Sequence, residues 1–205
     1  MYGWGVMSAV AIQEAANIGF PMDRFIGIWW SGSENDVTPV GAGADGYKAL
    51  TYHAVGSDFP VFDDIQTYVV DRGLAAGAGD KIGRALYNRG MYAAFLAVEA
   101  ARTAQAIHGV TELTGAQMRD GLEALVITDE VMEAAGMGGF GPEFAASCEN
   151  HGGPGLVAVQ QWDAESQTWS LITDFEATDT EVINALIAED AAAYAAEAGV
   201  TPGCN

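Results

Sequence analysis

Hydrophobic and polar residues follow two different periods along the first third of the chain. Apolar residues at helical spacing predict a helix from Val6 to Ile18, stopped by the glycine and proline that follow it. Apolar runs rich in aromatic and β-branched residues predict buried strands at Phe25–Trp30 and Ala49–Val55. Met1–Gly5 is typical of the end of a strand. The order strand, helix, strand predicts a parallel crossover unit.

The middle of the chain is predominantly helical. The pattern predicts helices at Phe62–Gly73 and Lys81–His108, the latter being the longest helical stretch. Its segment Gly90–Val98 has no charged residue, so we expect this helix to be covered on both sides. Two shorter helices and a linker complete this region: Thr114–Leu125, Thr128–Gly136 and residues 77–79.

The C-terminal part returns to strands before a last helix. Leu156–Trp162 and Thr168–Phe175 predict two strands joined as a hairpin. A capping-box pattern at Thr178 opens the last helix, whose apolar stripe contains Val182, Leu186 and Ile187, and Gly199 and Pro202 end it. Strands that alternate with helices predict an α/β fold.

Composition and charge exclude several classes of protein. The 205 residues contain 8 Lys plus Arg against 28 Asp plus Glu, for a net charge of −20, and 50% are hydrophobic. The apolar content excludes a disordered acidic chain, and the charge excludes nucleic acid and anionic membrane surfaces as partners. No run is long enough to span a membrane, and Met1–Gln13 has no basic residue that would indicate a signal peptide.

Two motifs resemble known sites but lack the required context. Gly41–Gly46 has the spacing of a dinucleotide-binding loop, yet a strand follows it instead of a helix, so we expect a loop and no cofactor. Cys148 and His151 are too few for a metal site. Cys204 lies in a tail of the kind that usually frays, so we expect it to stay unpaired, with a bridge to Cys148 as the alternative. We predict no catalytic residue and no metal ligand.

Aromatic residues cluster where two neighbouring strands end. In open α/β sheets, ligands bind outside the carboxyl ends of the strands, and Trp and Tyr suit a small amphipathic solute. Glu34 and Asp36 follow directly and could bind an ammonium or amide group, or cap the next helix. The aromatic residues are Tyr2, Trp4, Trp29 and Trp30.

Five segments, in this order, resemble one known family. They are Tyr2–Gly5, Phe25–Glu34, Gly46–Leu50, Tyr87–Ala94, and Cys148–Gly153 followed by Gln160–Trp162. Together they resemble the C-terminal part of the substrate-binding proteins of branched-chain amino acid and amide ABC importers, which are type I periplasmic binding proteins.

The resemblance implies an incomplete two-lobed fold. Family members are about twice as long and have an N-terminal half that this chain lacks, so we expect a fragment. Parallel-sheet βαβ units would come from both lobes, with residues 1–57 and 158–205 in the C-terminal lobe and 58–157 in the N-terminal lobe.

The resemblance also implies a ligand site and a role. It assigns ligand contacts to Tyr2, Trp4, Trp29, Trp30, Glu34, Tyr87 and Asn88. A tryptophan at 29 or 30 stands where amino-acid binders place an acid, which leaves amides and urea-like solutes open beside amino acids. The implied protein is a non-enzymatic, periplasmic or extracytoplasmic receptor that closes by a hinge and delivers its solute to an ABC permease.

Two other functions fit the same residues. One is a carbohydrate-active enzyme with tryptophan platforms and a pair of carboxylates. The other is a sensory ligand-binding domain that reports to a membrane partner.

Overall fold

Seven helices and seven strands form the regular structure of the computed structural model, which describes residues 1–77, 79–201 and 203–204. The helices are α1 Val6–Asn17, α2 Glu34–Val37, α3 Pro60–Ile65, α4 Ala85–His108, α5 Gly115–Glu123, α6 Asp129–Ala134 and α7 Thr180–Ala198. The strands are β1 Ile26–Gly27, β2 Lys48–Thr51, β3 Val126–Ile127, β4 Phe144–Ala145, β5 Leu156–Asp163, β6 Thr168–Leu171 and β7 Glu176–Ala177. The predicted linker and the predicted end of the last helix include Ala78 and Pro202, which lie outside the described residues.

The chain divides into two compact units. The first unit contains residues Met1–Leu96, Thr128–Pro142 and Val157–Glu176. The second unit contains Ala97–Ile127, Glu143–Leu156 and Ala177–Asn205.

A mixed sheet in the order β1-β2-β5-β6 organises the first unit, and β7 also pairs with β5. β1 runs parallel to β2, whereas β2–β5 and β5–β6 are antiparallel. The predicted α/β class and the C-terminal hairpin are therefore confirmed, but the sheet is not purely parallel. Its core is a cluster that includes Ile12, Tyr47, Trp162 and Trp169.

The predicted strand end at Met1–Gly5 is wrong as an assignment of secondary structure. Only Met1 makes strand-like bonds, because its amine donates to the carbonyl of Ile26 and its carbonyl accepts from the amide of Ile28. Gly3 does not continue this pairing, because its carbonyl accepts a hydrogen bond from the Ser31 hydroxyl. Helix α1 begins at Val6.

The strand predicted at Phe25–Trp30 is β1 of the structure and is shorter than predicted. It ends at Gly27, and Trp29–Ser31 form a 3-10 turn. A side chain at Gly27 would overlap the hydroxyl of Tyr47, so the backbone packs closely here and then turns. Trp29 and Trp30 therefore lie outside the sheet.

A two-stranded sheet and a disulfide bond connect segments of the second unit. β3 pairs with β4 in an antiparallel two-stranded sheet. Cys148 and Cys204 form a disulfide bond, so the expectation that they stay unpaired is wrong. The bridge fixes the tail that the sequence alone indicates as frayed, and it removes Cys148 as a thiolate or metal ligand.

Candidate functional site

Three tryptophans meet in the first unit. The ring centroids of Trp4 and Trp30 lie 5.6 Å apart, and those of Trp29 and Trp30 lie 5.7 Å apart, both with edge-to-face geometry. Trp4 is 55% exposed and Trp30 is 46% exposed, so neither side chain is buried in the hydrophobic core. Trp29 is half-buried and contacts Tyr52 at 6.2 Å between centroids.

Trp4 and Trp30 line one cavity of about 530 Å³, which we call the tryptophan cavity. That volume is within the range of small-molecule sites. Five further side chains line it together with Gly5: Ser33, Asn35, Asp36, Leu86 and Arg89.

The buried hydroxyl of Ser31 fixes the two tryptophan loops to each other. It donates to the carbonyl of Gly3 at 2.8 Å and accepts from the Ser8 hydroxyl at 3.0 Å. The carbonyl of Ser31 accepts from the Tyr47 hydroxyl at 3.0 Å. Because Gly3 and Ser31 each lie next to a tryptophan in sequence, these bonds determine where the two indoles stand. Buried hydrogen bonds of this kind preorganise a binding wall.

Arg89 supplies a cation to the tryptophan cavity. One of its terminal nitrogens donates to the carbonyl of Trp29 at 2.7 Å, and the guanidinium lies 5.7 Å from the ring centroid of Tyr52. Its Nε is buried and has no hydrogen-bond partner among the described residues. An arginine has five N–H donors, so most of this group is free to meet a carbonyl or carboxylate oxygen.

Asp36 faces the same cavity but is committed to its own turn. Its carboxylate accepts from the amide of Ser33 at 2.9 Å and from the Ser33 hydroxyl at 2.6 Å, which forms the capping box of α2. Burial raises the pKa of Asp36, against the opposing effects of the Ser33 hydrogen bonds and of Arg89. The expectation that Asp36 caps the following helix is confirmed.

The other residues predicted as ligand contacts lie elsewhere in the first unit. Tyr2 is 78% exposed and does not line the tryptophan cavity. Both carboxylate oxygens of Glu34 accept from the amide of Ala85 at 3.2 Å, which caps α4. Tyr87 packs on Phe62, with 6.2 Å between ring centroids. Asn88 is fully buried and donates to the carbonyls of Ala54 and Gly56.

The sequence analysis named the residue next to the one that lines the cavity. Arg89 directly follows Asn88, and on α4 the buried residues Ala85, Asn88 and Tyr92 define one face. Leu86 and Arg89 are three residues apart and share another face. The sequence offers no clear signal for this choice, because apolar residues lie on several sides of α4 and do not mark which face is buried.

Two features are absent from the part of the chain that the structure describes, a cluster of metal ligands and a helix able to cross a membrane. Residues 1–77, 79–201 and 203–204 contain no group of three or more His, Cys, Asp and Glu arranged to hold a metal ion. The Nε2 atom of His151 lies 3.4 Å from the Oε1 atom of Glu123. None of the helices within these ranges combines the length and apolar character needed to cross a bilayer.

Comparison with known proteins identifies relatives by structure. No family model and no curated protein matches the chain. A crystal structure described as an ABC transporter permease from the Pseudomonas fluorescens group is 41% identical, with a TM-score of 0.90, over 98% of this chain and 49% of that one. A branched-chain amino acid ABC transporter from Thermus thermophilus, with bound valine, is 20% identical, with a TM-score of 0.61, over 85% of this chain and 44% of that one.

These comparisons support the mixed α/β fold and its relation to proteins of ABC transporters. The Thermus thermophilus structure shows a shared fold alone, because its identity is low. The chain spans about half the length of both solved structures.

Proposed function

We propose that this chain forms part of the extracytoplasmic solute-binding component of an ABC importer and binds a small amphipathic solute in the tryptophan cavity. One observation carries the proposal: Trp4 and Trp30 present exposed ring faces to a cavity of about 530 Å³ that also contains Arg89. Apolar walls with one convergent polar group are typical of small-molecule sites. Both structural relatives are described as parts of ABC transporters.

We propose a closing mechanism between the lobe segments that the resemblance implies. Trp4 and Trp30 belong to segment 1–57, whereas Leu86 and Arg89 belong to segment 58–157, and all four line the same cavity. In the mechanism that we propose, the solute contacts both lobes and stabilises the closed state through its higher affinity for that state. Segment 158–205 would return to the C-terminal lobe, to which segment 1–57 belongs.

The chemistry of the tryptophan cavity defines the class of solute. The guanidinium of Arg89 can donate to a carboxylate or to an amide oxygen, and the indoles can cover an aliphatic or planar body. Branched-chain amino acids, amides and urea-like compounds all meet these requirements. An ABC permease in the membrane is the proposed protein partner, and we propose no nucleic acid partner and no membrane insertion of this chain.

The disulfide bond supports a periplasmic or extracytoplasmic location. Cys148 and Cys204 are both oxidised in the structure. Such bonds persist in the periplasm and outside the cell, and they are rare in the cytosol.

Titration of the protein with leucine, valine, acetamide and urea, followed by tryptophan fluorescence and calorimetry, tests the proposal. We expect at least one solute to give a saturable response in both measurements. Trp30→Ala should weaken its binding by about thirtyfold or more, because truncating a central aromatic contact typically costs at least about 2 kcal/mol.

Tyr194→Ala is the matched control, since Tyr194 is an exposed aromatic residue of α7 in the second unit. It should leave the affinity unchanged. A flat response to all four solutes, or equal affinity in Trp30→Ala and the unsubstituted protein, would refute the proposal. Conversion of an added solute into a product would favour an enzyme instead, although Asp36 is the one carboxylate among the described residues that line the cavity.

A further inference from the structure

A second cavity lies in the first unit and shares no lining residue with the tryptophan cavity. Its volume is about 300 Å³, enough for a small metabolite. Helix α2 contributes to both cavities, because Asn35 and Asp36 line the tryptophan cavity whereas Glu34 lines the second one.

Two opposite charges line this second cavity without neutralising each other. Both oxygens of the Glu34 carboxylate share a single donor, the amide of Ala85, so each retains lone-pair capacity. The side chain of Arg84 makes no hydrogen bond and no ion pair within residues 1–77, 79–201 and 203–204. Glu34 and Arg84 therefore offer one anionic and one cationic group to whatever enters.

Trp169 also lines the second cavity. The residue is 6% exposed, and its indole Nε1–H is buried without a hydrogen-bond partner among the described residues. Because the ring borders the cavity, its surroundings change when a molecule enters. Gln167, in the turn between β5 and β6, also lines the cavity, and its φ of 56° is the left-handed conformation that hairpin turns commonly use.

We propose that the second cavity is a separate binding site for a small zwitterion, a free amino acid with a short side chain. Its carboxylate would accept from Arg84, and its ammonium would donate to Glu34. A molecule with only one of the two charges would form a charge-assisted hydrogen bond with only one of Glu34 and Arg84. This site is additional to the tryptophan cavity and does not depend on its solute.

The indole N–H resonances of the five tryptophans allow the two cavities to be observed separately by NMR. Trp169 reports on the second cavity, and Trp4 and Trp30 report on the tryptophan cavity. We expect L-alanine to shift the Trp169 resonance saturably, and L-alaninamide and N-acetyl-L-alanine, which each lack one charge, to leave it in place.

Arg84→Gln and Glu34→Gln should each raise the half-saturating concentration of L-alanine at Trp169 by about tenfold or more, as expected for the loss of a charge-assisted hydrogen bond. Gln at position 34 keeps an oxygen for the Ala85 amide, so α4 stays capped. Arg72→Gln, which removes an exposed arginine of the same unit, is the control and should change nothing.

A Trp169 resonance that stays in place up to high millimolar L-alanine would overturn the proposal. So would a shift of equal size and midpoint in Arg84→Gln. Neither result would affect the proposed transport function, which is tested by the loss of solute affinity in the Trp30→Ala variant.

Discussion

His53 is a fully buried imidazole whose surroundings favour its neutral form. Its Nδ1 is within hydrogen-bond distance, 2.9 Å, of the carbonyl of Ala54, and its ring stacks on Phe140. Its Nε2 has no partner among the described residues. Burial lowers the pKa of His53 from 6.5 to about 4, partly offset by the Ala54 hydrogen bond and assisted by the charge of Arg89.

This shift predicts a loss of stability in acid. Between the pKa of His53 in the unfolded chain, 6.5, and its folded value, about 4, the unfolded chain binds a proton that the folded chain does not. The contribution of neutral His53 to the free energy of unfolding should therefore be fully present above pH 6.5. It should decrease as the pH falls through this window, by about 3 kcal/mol in total. Denaturant unfolding at a series of pH values measures it.

His53→Gln isolates this contribution, because glutamine does not titrate. We expect the variant to lose about 3 kcal/mol less than the unsubstituted protein between pH 7.5 and pH 4. Asp36, whose raised pKa has the opposite effect on stability, is present in both proteins and cancels in the comparison. Parallel curves for His53→Gln and the unsubstituted protein would contradict the prediction.

At the scale of single residues, the sequence indicated the tryptophans but not their polar partner. Trp4 and Trp30 were named because the sequence predicted both at strand ends. Met1–Gly5 is not a strand and Trp30 lies in a 3-10 turn, yet the two rings line one cavity. The role of Arg89 depends on the rotation of α4, which places residue 89 and not residue 88 towards the cavity. Rotation of a helix whose apolar residues lie on all sides cannot be read from periodicity alone.

Helices α4 and α5 pack against each other in the second unit through a glycine. A side chain at Gly121 would overlap the carbonyl oxygen of Ala100 and approach the Cβ of Ala104 to 2.6 Å. Both alanines are themselves buried. This contact therefore depends on small residues from both helices.

Gly121→Ala should destabilise the protein, even though alanine is the better helix former, because the backbone of α4 would have to move. We expect a loss of about 1–3 kcal/mol in the free energy of unfolding, the usual cost of overpacking. Chemical denaturation measures it.

Gly115→Ala in the same helix is the matched control. No atom lies within 4 Å of the position that its new Cβ would occupy. It should be neutral or stabilising by up to about 1 kcal/mol, from helix propensity. Equal effects of the two substitutions would show that Gly121 is not a packing residue.

At the scale of elements, the type of each segment was more predictable than its surroundings. The helices at 6–17 and 85–108 and the hairpin of β5 and β6 agree with the predictions, but α4 is not covered on both sides, since Ala93, Ala94 and Val98 are exposed. Val182, Leu186 and Ile187 of α7 are also exposed, and Ala195 is the one residue of this helix that is buried. Apolar spacing shows which side chains favour burial, whereas the neighbour that provides it is set by tertiary structure.

The disulfide bond joins parts of the second unit that are distant in sequence. Cys148 follows β4, and Cys204 follows α7, with a sequence separation of 56 between the two cysteines. Because α7 has so little buried surface of its own, the covalent bond is its main attachment at the C-terminal end. The sequence predicted the opposite, since fraying at chain ends is the rule when nothing ties them down.

Replacing both cysteines by serine should therefore loosen α7. Closing a loop of this length stabilises a folded chain by about 4 kcal/mol in the chain-entropy model. We expect the double variant to lose up to about that amount and to show faster amide exchange across Thr180–Ala198.

Reduction of the unsubstituted protein with dithiothreitol should produce the same faster exchange, and the reductant should have no further effect on the double variant. Unchanged exchange rates in α7 after either treatment would show that packing alone holds this helix.

The bridge also changes the connectivity of the whole molecule. The chain leaves the second unit after Leu156, contributes β5 and β6 to the first unit, and returns at Ala177 before it reaches Cys204. Residues 148–204 thus form a covalent ring that passes through both units. A protease that cuts the backbone once inside this ring, for example in the turn between Asp163 and Thr168, opens the ring but releases no fragment until the disulfide is reduced.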